Sequence, residues 1–262
     1  MGVPQHVIRS FGLSGLPIPL PGGENRSFLA DDHLLKPVDN VPLAEWAGTA
    51  WSGLTPEQYR ISRPLKSGKG KFIEDGWSAS RFEKGQHKKG HTTEKLAVCR
   101  ALHTGLSRLN PGEMPENNDP WARAHRVAWQ TDELPQDLPP HAAKILRGLL
   151  DKVSPGAMGF PQIIHADLCG NILFEEGQLP LVIDFSPFKA PAAYAEAILI
   201  CDGIAWENSP LSSISLLPDT PYYKEMLTRA ALFRLTVAAI LHGESGFAEE
   251  FHNFKAITDA LN

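Results

Sequence analysis

The stretch from Ile163 to Phe185 constrains this chain more than any other. An apolar pair, Ile163-Ile164, leads into His165-Ala166-Asp167-Leu168-Cys169-Gly170-Asn171 and then a second apolar run, Ile172-Leu173-Phe174. Glu175-Glu176-Gly177-Gln178 supplies a turn, and Leu179 to Phe185 forms a third run with Asp184 near its end. Short apolar runs bounded by turn residues read as strands, and two such runs around a tight turn read as a β-hairpin. A hairpin brings its open ends together, so Asn171 at the start of one strand is expected to face Asp184 at the end of the other. Two hard oxygen donors converging on one point suit Mg²⁺, which takes few protein oxygens and completes its shell with phosphate and water. Asp167 precedes this point on a loop, where a carboxylate can accept a proton from a hydroxyl. Capping a turn is the plainer role for a loop Asp. The joint presence of Asn171 and Asp184 favours chemistry.

The flanking sequence implies two unlike halves. The first third reads as β-rich. Leu16 to Leu20 is Pro-laced and suits only an edge or irregular strand. Pro21 to Asn25 is a turn, Asp31-Asp32 a tight turn between two strands, and Tyr59–Leu65 and Phe72–Phe82 are further strands around the loop at Ser67–Gly70. Pro42 to Trp51 has apolar residues at helical spacing, with Pro42 suited to the first turn. The remainder reads as helices over Thr92–Leu109 (capped by Thr92 or Thr93), Trp121–Trp129, Pro140–Val153, Ala192–Trp206 and Tyr222–His242. The expected organisation is an α+β, bilobal chain, with a small β-rich N-lobe over residues 1–85. A larger, mainly helical C-lobe over 86–262 would hold the loop and the hairpin.

Charge and cysteine content narrow the function. Lys plus Arg number 25 and Asp plus Glu 30, a net charge of −5, which disfavours a nucleic-acid partner because phosphate neutralisation needs a basic face. Cys99, Cys169 and Cys201 contain no C-x-x-C pair, so a zinc or iron–sulfur cage has no support. An odd thiol count without a secretory leader fits a reducing cytoplasm. The apolar stretch from Ala230 to Leu241 is interrupted by Arg234 and is too short to span a bilayer, so no membrane partner is expected. Oligomeric state is not legible.

The ordered series His165, Asp167, Asn171, Asp184 resembles the kinase-like phosphotransferases, the superfamily of aminoglycoside phosphotransferases, choline kinases and fructosamine kinases. The His-x-Asp-Leu-x-Gly-Asn form and the Asp-Phe-Ser-Pro-Phe sequel are similar to short actinobacterial members of that group. The resemblance implies a bilobal protein-kinase-like fold and ATP-dependent transfer of a γ-phosphoryl group to a small-molecule acceptor. It also implies roles. Asp167 would be the catalytic base, His165 the brace of the loop, and Asn171 and Asp184 the Mg²⁺ ligands. Lys36 would pair with nucleotide phosphate, Glu45 would be its ion-pair partner, Gly22 and Gly23 would form the phosphate-side turn, and Trp77-Ser78-Ala79 would lie in the strand that meets the adenine.

The chain departs from the pattern in three places. Only four positions separate Asp167 from Asn171 where five is usual, the Gly-rich turn lacks the full G-x-G-x-x-G, and only nine positions separate Lys36 from Glu45. These departures motivate an alternative, a catalytically weak nucleotide-binding regulatory protein of the same fold. A metal-dependent phosphoesterase is a third reading, poorly supplied with clustered ligands. Cys169 reads as a space-filling residue, and the basic run Lys84 to Lys89 as a solvated loop. Trp121, Trp129 and Trp206 read as core or interface aromatics, with lining of a substrate cleft the alternative. Glu196, Asp202 and Glu207 are acidic residues that either face a cationic acceptor or are surface charges.

Overall fold

A computed structural model describes residues 2–20, 26–155 and 159–261. The chain divides into two compact units. The first comprises Met1–Gln86, Arg108–Asn117 and Leu173–Phe185; the second comprises His87–Ser107, Asn118–Ile172 and Ser186–Asn262.

The first unit is built on a sheet of order β1-β2-β3-β6-β5, formed by Ile18–Pro19, Phe28–Ala30, His33–Pro37, Trp77–Arg81 and Ile73–Glu74 in that order. The expected turn at Asp31-Asp32 joins β2 to β3, which pair antiparallel. The single strand expected over Phe72–Phe82 is instead two, because Asp75 (φ 48) and Gly76 (φ 74) form a tight hairpin turn between β5 and β6. A short helix α1 (Gln5–Ser10), too brief to show a periodicity, buries Val7 and Ile8 completely against Leu35, Trp77 and Ala79. Helix α2 (Val41–Ser52) starts as the chemistry demands: the Asn40 side chain accepts a hydrogen bond from the Leu43 N–H, and Pro42 sits in the first turn.

A second sheet has the order β4-β10-β9-β7, from Arg60–Ile61, Leu181–Val182, Ile172–Phe174 and Gln86–His87. The strand expected over Leu179–Phe185 is only two residues long. It runs parallel to β4, with Leu181 opposite Arg60 and Val182 opposite Ile61. The segment from Leu173 to Phe185 therefore packs in the first unit, not among the helices. Stacking of Phe185 on Trp51, with ring centroids 4.5 Å apart, reinforces this.

The second unit is helical: α3 (Thr92–Leu106), α4 (Pro120–Ala128), α5 (Pro140–Leu150), α6 (Ala192–Trp206) and α7 (Pro221–Ala260). A small antiparallel pair, β8 (Gln162–His165) and β11 (Pro187–Ala190), joins them. Helix α3 begins where expected, yet its cap is His91 in the left-handed conformation and neither threonine caps through its side chain. Every residue of α6 from 193 to 203 is buried, as is every residue of α7 from 226 to 239. Helix α7 is longer than its apolar stretch implied. It continues past Gly243, whose φ of 63 breaks the helix locally and is a conformation that favours glycine. It is long and apolar enough to cross a membrane, but 78% of that window is buried inside the protein, the pattern of a core helix.

Gly48 of α2 offers a test of the first unit's packing. A Cβ there would lie 2.6 Å from the Phe72 ring. Overpacking of this kind costs about 1–3 kcal/mol, against a few tenths gained in helix propensity by a β-branched residue. Gly48→Val is expected to lower the urea midpoint with an unchanged m-value; an unchanged midpoint would show that the ring gives way freely.

Candidate active site

In the second unit the loop after β8 is held by a chain of imidazoles. The His165 backbone N–H donates to His103 Nε2 at 3.1 Å, and the Asp167 N–H donates to His165 Nδ1 at 3.2 Å. His103 Nδ1 lies 2.7 Å from the Cys99 carbonyl. Since Nε2 accepts, Nδ1 carries the proton and donates, which fixes the neutral tautomer. Burial pushes the His103 pKa down to about 4; its bond to the Cys99 carbonyl opposes that and the nearby His165 adds to it. His165 is itself 1% exposed.

Asp167 is gripped on both oxygens. Oδ1 accepts from Arg234 Nη2 at 2.6 Å, and Oδ2 accepts from Asn171 Nδ2 at 3.0 Å. The same amide nitrogen donates to the Asp167 carbonyl at 2.7 Å, closing the loop on itself. Burial acts to raise the Asp167 pKa, but the Arg234 guanidinium, with smaller help from His165 and Asn171, more than offsets it and holds the carboxyl below its usual value.

In the sequence, Arg234 interrupts an apolar run. That interruption was itself the signal, because a charge within a buried helix must be paired. Its partner is Asp202 of α6, fully buried, bound through Nε at 2.9 Å and Nη2 at 2.5 Å. Burial pushes the Asp202 pKa up to about 6, with Arg234 working against that rise.

A second buried ion pair backs the same loop. Lys95 of α3, 1% exposed, donates to both oxygens of Glu207 at 2.7 and 2.6 Å and to the Cys169 carbonyl at 2.9 Å. His87 Nε2 lies 2.6 Å from the same Glu207 carboxylate. Glu196 pairs with Arg100 at 2.8 Å. The three carboxylates considered for a cationic acceptor are thus each occupied by a cation of the chain, and none is a surface charge. Burial first, then Asp202 and Glu207, pushes the Cys169 thiol far up, so it is not a nucleophile and fills space.

The first unit holds the other expected residues. Lys36 on β3 pairs with Asp184, which stands two residues beyond β10 with φ 49, a left-handed conformation that Asp tolerates better than most residues. The expected Lys36–Glu45 pair does not form. Glu45 faces β5 and accepts from the Phe72 and Ile73 N–H groups at 3.1 and 2.9 Å, so it anchors a strand. The assignment of Trp77-Ser78-Ala79 to an adenine-facing position is likewise corrected. Strand β6 is interior to its sheet, Trp77 and Ala79 are 7% and 2% exposed in the core, and the Ser78 hydroxyl donates to the Lys36 carbonyl. Their backbone polar groups face ladders with β3 and β5. Gly22 and Gly23 lie outside the described residues. Among the described residues no cluster of three or more His, Cys, Asp or Glu could hold a metal ion.

The sequence matches no protein-family model and no curated protein. Solved structures do match over nearly the whole chain. A thermostable mutant of an aminoglycoside phosphotransferase, in its apo form, superposes with a TM-score of 0.67 at 15% identity, covering 99% of this chain and 98% of that one. Its ternary complex with ADP and hygromycin B gives 0.64 at 14% identity, covering 98% and 96%. The choline kinase of Streptococcus pneumoniae gives 0.56 at 12% identity, again covering 98% and 96%. The chain has the kinase-like fold. Its two units correspond in kind to that fold, a small β-rich part and a larger helical part.

Two outcomes follow. Lys95→Met leaves Glu207 buried beside a single imidazole, and breaking a buried pair costs about 3–5 kcal/mol; a thermal melt should show that loss, and the Lys95→Met/Glu207→Leu double variant should recover most of it. His103 is neutral in the fold, with a pKa near 4 against an ordinary 6.5. Its contribution is therefore complete above pH 6.5 and is lost as pH falls toward 4, about 3 kcal/mol in all. Asp202, raised to about 6, contributes in the opposite sense over much of that window. The native chain's stability advantage over His103→Gln should shrink by that amount between pH 6.5 and 4 in urea titrations, and a constant difference would show that His103 titrates normally.

Proposed function

We propose that this protein is an ATP-dependent phosphotransferase that moves the γ-phosphoryl group to a hydroxyl or amine of a small molecule. The observation that carries this reading is Asp167, an ionised, half-exposed carboxylate held by Arg234 and Asn171 on a braced loop, in a chain of kinase-like fold. ADP and AMP-PNP in complexes of similar phosphotransferases support the choice of ATP.

The roles follow from chemistry. Asp167 accepts the proton of the acceptor hydroxyl as the oxygen attacks phosphorus. His165 keeps the Asp167 backbone in place through Nδ1. Lys36 is the cation for nucleotide phosphate and is now charge-matched by Asp184. Asn171 and Asp184 are hard oxygen donors of the kind Mg²⁺ takes, and would hold that ion; when bound it neutralises phosphate charge. The acceptor is not gripped by Glu196, Asp202 or Glu207, whose charges are internally compensated.

A catalytically weak nucleotide-binding regulatory protein is the second reading. It draws on the Glu45 carboxylate being committed to β5, which leaves Lys36 without the ion pair that active relatives are expected to have.

Asp167→Asn should lower transfer of radiolabelled γ-phosphate from ATP by about 10²–10⁴-fold, measured over sugars, amino sugars, choline-like amines and aminoglycosides, with ADP affinity unchanged. Full transfer by that variant rejects the base assignment. Nucleotide binding by the native protein with no transfer to any acceptor favours the regulatory reading.

A further inference from the structure

Arg234 makes more contacts than burial of its charge requires. A buried guanidinium is neutralised by one carboxylate, and Asp202, itself fully buried, supplies a bidentate one. The aromatic rings of Trp206 and Phe233 lie 5.0 and 4.7 Å from the guanidinium carbon and further fix its plane. The bond from Nη2 to Asp167 Oδ1 is surplus to this, and it reaches from a fully packed helix to a half-exposed loop carboxylate.

Resting on the phosphotransferase reading, we propose that Arg234 is a positioning residue, locked by Asp202, that fixes the rotamer of Asp167 and selects Oδ2 as the oxygen that receives the acceptor's proton. Oδ1 is ion-paired with a cation on a core helix and is turned toward Arg234. Oδ2 meets only the neutral amide of Asn171 and keeps a lone pair free. In the step, the acceptor O–H bond breaks and its proton passes to Oδ2. The acceptor oxygen forms the new bond to the γ-phosphorus, and the bond from that phosphorus to the β–γ bridging oxygen breaks, with ADP leaving with the electron pair.

Arg234→Met alone strands the buried Asp202, so the test uses Arg234→Met/Asp202→Leu, which removes both buried charges, together with Arg234→Lys, all in the full chain. The readouts are ADP release from Mg-ATP with water as acceptor, ADP affinity by calorimetry, and the crystallographic rotamer of Asp167. The double variant should bind ADP within about twofold of native and lose about 10²-fold in kcat, the size of effect a misplaced catalytic group produces, with KM for ATP nearly unchanged. Asp167 should leave its native rotamer. Arg234→Lys should recover part of the rate, since a point charge replaces a fork. An unmoved Asp167, or an unchanged kcat, in the double variant overturns the proposal. If the native chain neither releases ADP nor transfers phosphate to any of the acceptors named above, the phosphotransferase reading fails separately and the rotamer alone decides whether Arg234 positions Asp167.

Discussion

The pairing of Arg234 with Asp202 is the constraint around which the second unit is organised. Helices α6 and α7 are buried over most of their central turns, and a helix buried on every side should be wholly apolar. These two are not. They carry Glu196, Asp202, Arg229 and Arg234 into the interior, where an unpaired ion costs several kcal/mol. Each is compensated: Asp202 by Arg234, Glu196 by Arg100, and Arg229 by Glu225 together with the Ala128 and Ser154 carbonyls. Such pairs add little net stability over apolar packing. What they add is direction, since a bidentate guanidinium has one orientation and passes it to whatever its remaining N–H groups reach.

The loop from His165 to Asn171 receives that direction from three sides. Arg234 holds one Asp167 oxygen, Lys95 holds the Cys169 carbonyl, and His103 accepts from the His165 N–H. A loop with only four positions from Asp167 to Asn171 has little slack to absorb error, and here its geometry is set by buried groups on α3 and α7 in addition to its own hydrogen bonds. In the first unit a comparable economy applies to charge. Lys36 and Asp184 lie 148 residues apart in the chain yet neutralise one another, so neither stands as a bare ion.

Much of this was legible from residue pattern alone. Helix α6 begins and ends at the expected residues, because Pro191 marks its start and a largely apolar 15-residue stretch follows. The strand before His165 and the strand after Asn171 were legible for the same reason. What failed was long-range. Whether Glu45 meets a lysine or two backbone N–H groups depends on where β5 lies, and periodicity does not encode that. Order along the chain points Trp77 and Ala79 toward the nucleotide, whereas their alternation toward the core is a property of β6 being interior to its sheet. The short α1 was missed because six residues carry too little periodicity to be distinguished from a loop.

The electrostatics also bear on acceptor chemistry. Hygromycin B and spectinomycin are the molecules bound in two of the similar structures. A cationic acceptor is ordinarily held by carboxylates free to exchange water for the ligand. Here Glu196 is 7% exposed, Glu207 6% and Asp202 0%, and each already bonds a cation of the chain. Diverting any of them to a ligand would strand Arg100, Lys95 or Arg234. For Lys95 and Arg234, both buried, that would cost about as much as breaking a buried pair, some 3–5 kcal/mol, which consumes what a new ion pair would return. Trp206, by contrast, is 39% exposed; it lies over the Arg234 guanidinium, and its ring N–H donates to Glu250 at 2.9 Å. Glu196, Asp202 and Glu207 are therefore structural charges of the helical unit, and a counter-charge for a cationic ligand would have to come from elsewhere.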